Sequence, residues 1–511
     1  MKNYKQQFKG KKITIMGLGI LGRGLGYTKF LAECGADLIV TDLKTEKQLA
    51  SSLKELRKFK NPKGKQASYG AGIKFVLGEH RLEDFRNRDM IIKAAGVPIE
   101  SIYIKEAKKN RIPVEMDVSL FAKCAPGVMI IGVTGTRGKS MTTTLIYKIL
   151  SAFAKASAGR RKQKDKFWAK NPSVFLGGNL RGVATLPLLK KVKDGDILVC
   201  ELDSWQLQGF GEAKISPHIS VFTTFMPDHM NYYKNSMEKY FDDKANIFKY
   251  QTKEDILIIR PGMKEPGSRF WQSAKHADKS ALPKFTTGKC YIKKSDVKGK
   301  LIVVNPKEVE NWKFNVPGMH HRENLACAVA VAQALGVPKE AIKKTIADFK
   351  DLEGRLQLLR TYKGIKIYND NNATTPEATI AGIEALTNFW KSDFQKSGSP
   401  TSRNLGKRKI ILICGGSDKG LPLDNFVKTV NKYCKEVILI PGSGTEKLIT
   451  NYQLLITNEK TKNLKDAVKI ALGKASRGEI ILFSPAFASF GVYNNEYERN
   501  DLFMKIIRNL K

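Results

Sequence analysis

Acidic residues are scarce in this chain, and so are cysteines and long apolar runs. Only 49 Asp and Glu stand against 88 Lys and Arg in 511 residues, a formal charge of +39. The seven cysteines are scattered and form no CxxC pair, which excludes a disulfide framework and the common zinc and redox motifs. No apolar run of about 18 residues occurs, so no membrane span is expected. The basic start, MKNYKQQFKGKKITIMG, runs straight into a glycine motif and does not read as a signal peptide. These absences predict a reduced, cytoplasmic protein. Zinc-finger spacing and an RNA-recognition signature are also missing, and the Lys excess is spread along the whole chain. That distribution fits a basic enzyme steering anionic substrates better than a nucleic-acid binder. A nucleic-acid-stimulated NTPase stays open as an alternative.

What is present begins with Val128–Thr144, VMIIGVTGTRGKSMTTT. The β-branched run Val128–Val133 predicts a buried strand. A glycine turn, then Lys139 and Ser140, then a helix follow it. Backbone N–H groups freed by Gly135 and Gly138 can close around phosphates, with the helix N-terminus behind them. Thr136, Arg137 and Met141 complete the loop. Lys139 would reach the β/γ-phosphates and Ser140 would offer its hydroxyl to Mg²⁺. The strict P-loop pattern wants Gly at 133, where Val stands. The prediction is a nucleoside-triphosphate site.

Upstream, strand Lys11–Met16 leads into Gly17-Leu-Gly19-Ile20-Leu21-Gly22, a full GxGxxG, and a second strand ends at Asp42. Such a βαβ opening cradles a diphosphate, and Asp42 could hold a ribose. Taken alone it would suggest an NAD-dependent oxidoreductase. Beyond the P-loop, Leu176-Gly-Gly-Asn179 reads as a loop. Apolar strands end in Glu201 and, through Met-Pro-Asp, in His229. Ligands of open α/β sheets bind at such carboxyl ends, so both are Mg²⁺ or water-ligand candidates. Helices are expected at Leu325–Leu335 and Lys339–Phe349, with Pro317-Gly318 as a hinge. Four strands are expected at Ile365–Tyr368, Lys409–Cys414, Glu436–Ile440 and Ile480–Phe483. Ser151–Ser173, Phe389–Arg408 and Ile449–Lys462 read as insertions, and Gly262–Lys300 as small strands and loops. The fold class is α/β, in three successive domains. An N-terminal Rossmann-like domain (1–126) precedes a central P-loop ATPase-like parallel sheet (127–316) and a C-terminal Rossmann-like domain (317–511).

The joint occurrence, in order, of GLGILG, GVTGTRGKS, GGN, ELDSWQL, PDHM, DDKAN, GMHHREN, EGR, YND, GGSDKG and SPAFASF covers nearly the whole chain. In these motifs the chain resembles the Mur ligases of peptidoglycan synthesis, and within them the glutamate-adding branch. The resemblance implies ATP-dependent addition of glutamate to UDP-N-acetylmuramoyl-L-alanine through an acyl phosphate, by a cytoplasmic and monomeric enzyme. It implies that Gly17, Gly19, Ile20, Leu21 and Gly22 bind the UDP, with Asp42 and Lys44 near the uridine and Asn179 on the muramoyl group. It implies that Lys139 and Ser140 hold ATP and that Glu201 and His229 ligate magnesium. Lys244 would be carbamylated to support a second Mg²⁺. His320, Asn324, Arg355 and Asp370 would meet the nucleotide, and Thr374, Lys419, Ser489 and Tyr493 the amino acid.

Several positions depart from the family pattern. Arg137 stands where Asn is usual, Met141 where Thr is common, and His321 where Asn is usual. Tyr493 stands near a usual Phe, and Asn372 replaces the Lys expected to grip the glutamate carboxylate. Loss of that ammonium leaves D- and L-glutamate both open.

Overall fold

The computed structural model describes residues 4–58, 72–157, 168–263, 292–396 and 409–510. Cys290, most of Gly262–Lys300, Arg160–Asp165 within the first expected insertion and much of Phe389–Arg408 lie outside the described residues.

The first sheet holds β1 (Lys12–Met16), β2 (Asp37–Asp42), β3 (Ile73–Leu77), β4 (Met90–Lys93) and β5 (Val114–Glu115). All its pairs are parallel, in the order β3-β2-β1-β4-β5. The second holds β6 (Met129–Thr134), β7 (Val174–Gly178), β8 (Ile197–Glu201), β9 (Ile219–Phe222), β10 (Ile256–Ile259) and β11 (Lys300–Val303). It too is wholly parallel, ordered β11-β10-β9-β6-β8-β7. Helices on both faces bury these strands, which is why β8 and β9 are buried at every position and carry no polar alternation.

The third sheet holds β12 (Gln357–Tyr362), β13 (Ile365–Asn369), β14 (Ile410–Gly415), β15 (Cys434–Ile440), β16 (Thr457–Lys460) and β17 (Ile480–Ala486). Its order is β12-β13-β17-β14-β15-β16, with only β12 antiparallel to its neighbour. Alternate residues of β14 feed two cores. Ile410, Leu412 and Cys414 enter one, Ile411 and Ile413 the other, as the two-residue period of a strand requires.

The described residues form two compact units. One contains the first two sheets (residues 4–58, 72–157, 168–263, 292–305 and 325–342), the other the third sheet (306–324, 343–396 and 409–510). Within the first unit one large apolar core runs from Phe8 to Val297, through both sheets, and a smaller one around Met16, Phe85, Ile91 and Ile104 packs on the first sheet. Asp117 joins them: its two carboxylate oxygens accept from the N–H groups of Thr185 and Leu186, both at 2.7 Å. Burial raises the Asp117 pKa, and these two bonds oppose the shift.

Some expectations need correction. Leu176–Gly178 is not loop but the end of β7, a strand shortened in appearance by its two glycines. Ile449–Lys462 is no insertion: the end of helix Ser443–Asn451 and β16 occupy half of it. The polar TNEK of β16 is mostly exposed, as an edge strand can be, and so carries no apolar signal. The helix expected from Leu325 starts at Met319 and includes the His-His-Arg-Glu-Asn run. Helix Pro376–Lys396 runs into the start of the expected insertion at Phe389, and helix Lys139–Ser157 into that at Ser151.

Candidate active site

The loop leaving β6 is shaped by the segment that follows β9. Gly135 has φ 144°, and a Cβ there would lie 2.0 Å from Thr223 Oγ1, so no side chain fits. The Thr136 N–H donates to Thr224 O at 2.7 Å, and the Arg137 N–H to Thr224 Oγ1 at 2.8 Å. The loop then enters helix Lys139–Ser157, whose first-turn N–H groups have no carbonyl of their own helix to bond. Gly138, Lys139 and Ser140 thus stand where an anion would meet them. Met141 does not: its side chain is 2% exposed, in the core, and only its backbone could serve a nucleotide.

Two lysines converge on one carbonyl of this loop. Lys139 Nζ donates to Gly135 O at 3.0 Å and to Thr136 O at 3.2 Å. Lys244, on helix Met237–Ala245, donates to the same Gly135 O at 3.0 Å and to Thr134 Oγ1 at 3.5 Å. Its Nζ lies 4.9 Å from the centre of the Tyr240 ring. Lys244 is 1% exposed. Burial, and then the charge of Lys139, hold its amine well below the usual lysine range. A neutral amine keeps its lone pair and can act as a nucleophile.

Glu201 closes β8 and is buried; its carbonyl accepts from the Asn179 N–H at 2.7 Å. His229 sits at φ 56° on a turn, its ring 4.7 Å from Trp205 and 6.4 Å from Tyr240. Its Nε2 is 3.8 Å from Asp228 Oδ2, which also lies 3.9 Å from Arg137 Nη2. The buried Trp205 Nε1 has no hydrogen-bond partner among the described residues. No group of three His, Cys, Asp or Glu that could hold a metal occurs among the described residues. The oxygens of Ser140 and Glu201 suit a hard cation such as Mg²⁺, and a carboxylate-like group on Lys244 would add to them.

At the first sheet, Gly22 (φ 86°) precedes helix Arg23–Glu33, and the Gly182 N–H donates to Leu21 O at 3.0 Å. The Asn179 loop therefore lies against the GxGxxG turn. Ile20 is exposed, while Gly17, Gly19 and Leu21 are half-buried. Asp42 is more committed than the sequence implied. Its carboxylate accepts from the N–H groups of Gly19 and Lys44, each at 2.9 Å, and it is 5% exposed. It holds the turn together, and the exposed Lys44 is the freer of the two.

In the second unit, the loops at the carboxyl ends of β13, β14 and β17 are bonded together. Ser417 and Ala488 exchange backbone bonds at 2.9 and 3.1 Å, and the Ala486 N–H donates to Ala373 O at 2.9 Å. Lys419 Nζ reaches Thr374 Oγ1 at 3.4 Å. Ser489 is buried and its carbonyl accepts from the half-buried Tyr493 N–H at 3.1 Å. Burial raises the Tyr493 phenol above its ordinary value, so it stays neutral. Arg355 Nη1 donates to Asn372 O at 3.5 Å. Asp370 accepts from the Leu356 N–H at 3.0 Å and the Ser484 hydroxyl at 2.9 Å. The His320 and His321 rings lie with centres 4.1 Å apart, tilted by 46°, and Asn324 is buried on the same helix.

Residues 133–332 match the Mur ligase middle domain. The chain is 31% identical to the UDP-N-acetylmuramoylalanine–D-glutamate ligase of Roseiflexus sp., over 98% of this chain and 99% of that one. The chain belongs to the Mur ligase family. It is an ATP-dependent, amide-bond-forming ligase of peptidoglycan precursor synthesis. The enzyme of the same name from Borreliella burgdorferi is also 31% identical, over 99% of both chains. Among solved structures, UDP-N-acetylmuramate–alanine ligase of Thermotoga maritima shares the fold. Its TM-score is 0.54 at 17% identity, covering 98% of this chain and 100% of that one. The MurF ligase of the same organism, solved with ADP, has a TM-score of 0.50, covering 84% of this chain and 97% of the other.

Sequence reading alone missed several parts of this Mur ligase. Thr223 and Thr224 look like the end of an apolar strand, yet they hold the P-loop. Tyr240 precedes Lys244 by one helical turn, a spacing that could have shown the stacked pair. Arg499, in helix Glu496–Arg508, looks like one surface charge among many but is fully buried. Among the described residues, no helix is long and apolar enough to cross a membrane.

Proposed function

We propose that this Mur ligase joins D-glutamate to UDP-N-acetylmuramoyl-L-alanine, the chemistry named for its relatives, as a cytoplasmic monomer. The convergence of Lys139 and Lys244 on Gly135 O carries this reading. A carboxylate is a poor electrophile, so the L-alanyl carboxylate first takes the γ-phosphoryl group of ATP. ADP leaves and an acyl phosphate forms. The ammonium of Lys139 and the first-turn N–H groups of helix Lys139–Ser157 neutralise the charge that develops on the phosphoryl oxygens. The neutral amine of glutamate then attacks the acyl carbon, phosphate departs, and the amine proton passes to solvent or to the phosphate. Lys244, as a neutral amine, takes up CO₂ to form a carbamate and releases one proton. Ser140, Glu201, His229 and the carbamylated Lys244 would hold magnesium in two sites, and the metal would supply further charge neutralisation to the phosphates.

We assign the UDP-substrate to residues 1–126, ATP to 127–316 and the amino acid to 317–511. Gly17–Gly22, Lys44 and Asn179 serve the first substrate, and Thr374, Lys419, Ser489 and Tyr493 the last. His320, Asn324, Arg355 and Asp370 are the remaining nucleotide contacts of this reading. The test is phosphate release from ATP with UDP-N-acetylmuramoyl-L-alanine and D-glutamate, L-glutamate or no amino acid. Turnover with D-glutamate alone is expected. Turnover with L-glutamate alone overturns the stereochemistry, and none with either overturns the substrate. Lys244→Ala is expected to lose most activity and to regain part of it with short-chain carboxylic acids. Undiminished activity in that variant would sink the carbamate.

A further inference from the structure

Arg499 is fully buried, at 0% exposure, in the second unit. Its Nε donates to Asn371 Oδ1 at 2.8 Å, its Nη2 to Asn371 O at 3.1 Å, and its Nη1 to Phe487 O at 3.4 Å. The guanidinium thus hooks the loop after β13 to the loop that continues β17, the two loops carrying Thr374 and Ser489. All three acceptors are neutral oxygens. Glu496, one turn away, raises the proton affinity of Arg499 without forming an ion pair. Asn371 passes the arrangement on, donating from Nδ2 to Glu496 O at 2.9 Å and to Asn372 Oδ1 at 3.3 Å. Three acids near these loops and on this helix are engaged elsewhere: Glu498 accepts from the Asn494 N–H at 2.7 Å, and Glu353 and Asp370 are held as well. Glu353 accepts from Asn500 Nδ2 at 2.6 Å, and Asp370 from Leu356 and Ser484.

A buried cation without a carboxylate partner is costly, and an anion bound close by offsets the cost. Burial lowers the Arg499 pKa only to about 10, so the charge is present at neutral pH. We propose that Arg499 is a specificity-determining positioning residue: its uncompensated buried charge, behind Asn371 and Asn372, favours an incoming amino acid with an anionic side chain. The fork also fixes the loop that presents Asn372 and Thr374. Position 372 carries an uncharged amide, so the positive field at this end of the sheet comes from Arg499 behind the loop, from Lys419, and from Arg355, whose Nη1 donates to Asn372 O at 3.5 Å. This rests on the reading of these loops as the amino-acid site.

Asn371→Ser serves as a control, losing the Nδ2 bonds to Glu496 O and Asn372 Oδ1 without adding a charge. The decisive variant is Asn371→Asp, which loses the same bonds but still accepts from Arg499 Nε and neutralises the charge in place. It is expected to raise the KM for glutamate at least tenfold. The KM values for ATP and the muramoyl nucleotide should stay within twofold, and Asn371→Ser should leave the KM for glutamate within about threefold. Arg499→Gln should act alike on glutamate, while Arg499→Lys, which keeps the charge, should stay within about threefold of the parent. Inhibition by glutamine, competing with glutamate, should be unchanged by Asn371→Asp. Equal changes in all three KM values, or the same loss for glutamine as for glutamate, overturn the proposal. Parent enzyme that turns over no glutamate overturns the functional reading instead.

Discussion

Lys93 shows how one buried side chain can set a pH dependence. It ends β4, is 2% exposed, and donates to Val97 O at 3.0 Å. Burial lowers its pKa to about 8, while Asp203, Asp243 and Glu212 oppose the shift. Between about 8 and the ordinary 10.5 the unfolded chain binds more proton than the folded one, so stability rises with pH in that window. Below it both states are protonated and the cost of the buried charge is fully present. Lys93→Met should therefore stabilise the protein at pH 7, by up to roughly 3 kcal/mol, and abolish the rise. Urea denaturation at pH 7 and pH 10 checks this; an unchanged rise in the variant would discard it. Trp205 makes a second residue-scale case. Trp205→Phe keeps the ring beside His229 but removes the buried N–H. If that N–H donates to bound substrate, the KM of one substrate should rise about tenfold with the fold intact, the scale of one hydrogen bond.

At the scale of elements, the P-loop depends on a neighbouring segment for its shape. Gly135→Ala places a methyl group against Thr223 Oγ1 and the Thr224 N–H. It should cost on the order of 2–4 kcal/mol and weaken ATP binding, because Gly135 O also anchors Lys139 and Lys244. Denaturation with and without ATP separates the two effects. Helix Ser204–Ala213 gives a milder test. Asp203 caps it, accepting from the Gln206 N–H at 2.7 Å while Gln206 Oε1 accepts from the Asp203 N–H at 3.3 Å. Asp203→Ala should cost about 1 kcal/mol and Asp203→Asn much less. Most strands were legible because parallel strands buried on both faces are continuous apolar runs. β3, β5, β7, β11, β12 and β16 were not: all six lie at sheet edges, where burial is partial and the apolar run is short or broken.

For the whole molecule, the formal charge of +39 acts through long-range attraction for anions. The KM values for ATP and the muramoyl nucleotide should therefore rise as ionic strength increases to about 0.5 M, where screening is short. RNA or DNA should leave phosphate release unstimulated; stimulation would return the nucleic-acid reading. The apolar clusters divide the chain physically. One core unites the first two sheets, and a strand period of two gives the third sheet its two.

The sequence by itself determined the three-sheet α/β class, the P-loop, the GxGxxG turn and membership of the ligase family. Each rests on local chemistry: β-branched runs, glycines at turns, and ordered motifs whose spacing survives without coordinates. Tertiary structure decided how those residues are employed. It gave the Asp42 carboxylate to its own turn, buried Met141, brought Lys244 onto the carbonyl that Lys139 also holds, and enclosed Arg499 with no carboxylate partner among the described residues. Burial and partnership depend on segments far apart in the chain. Desolvation and field therefore cannot be read from any one stretch of sequence.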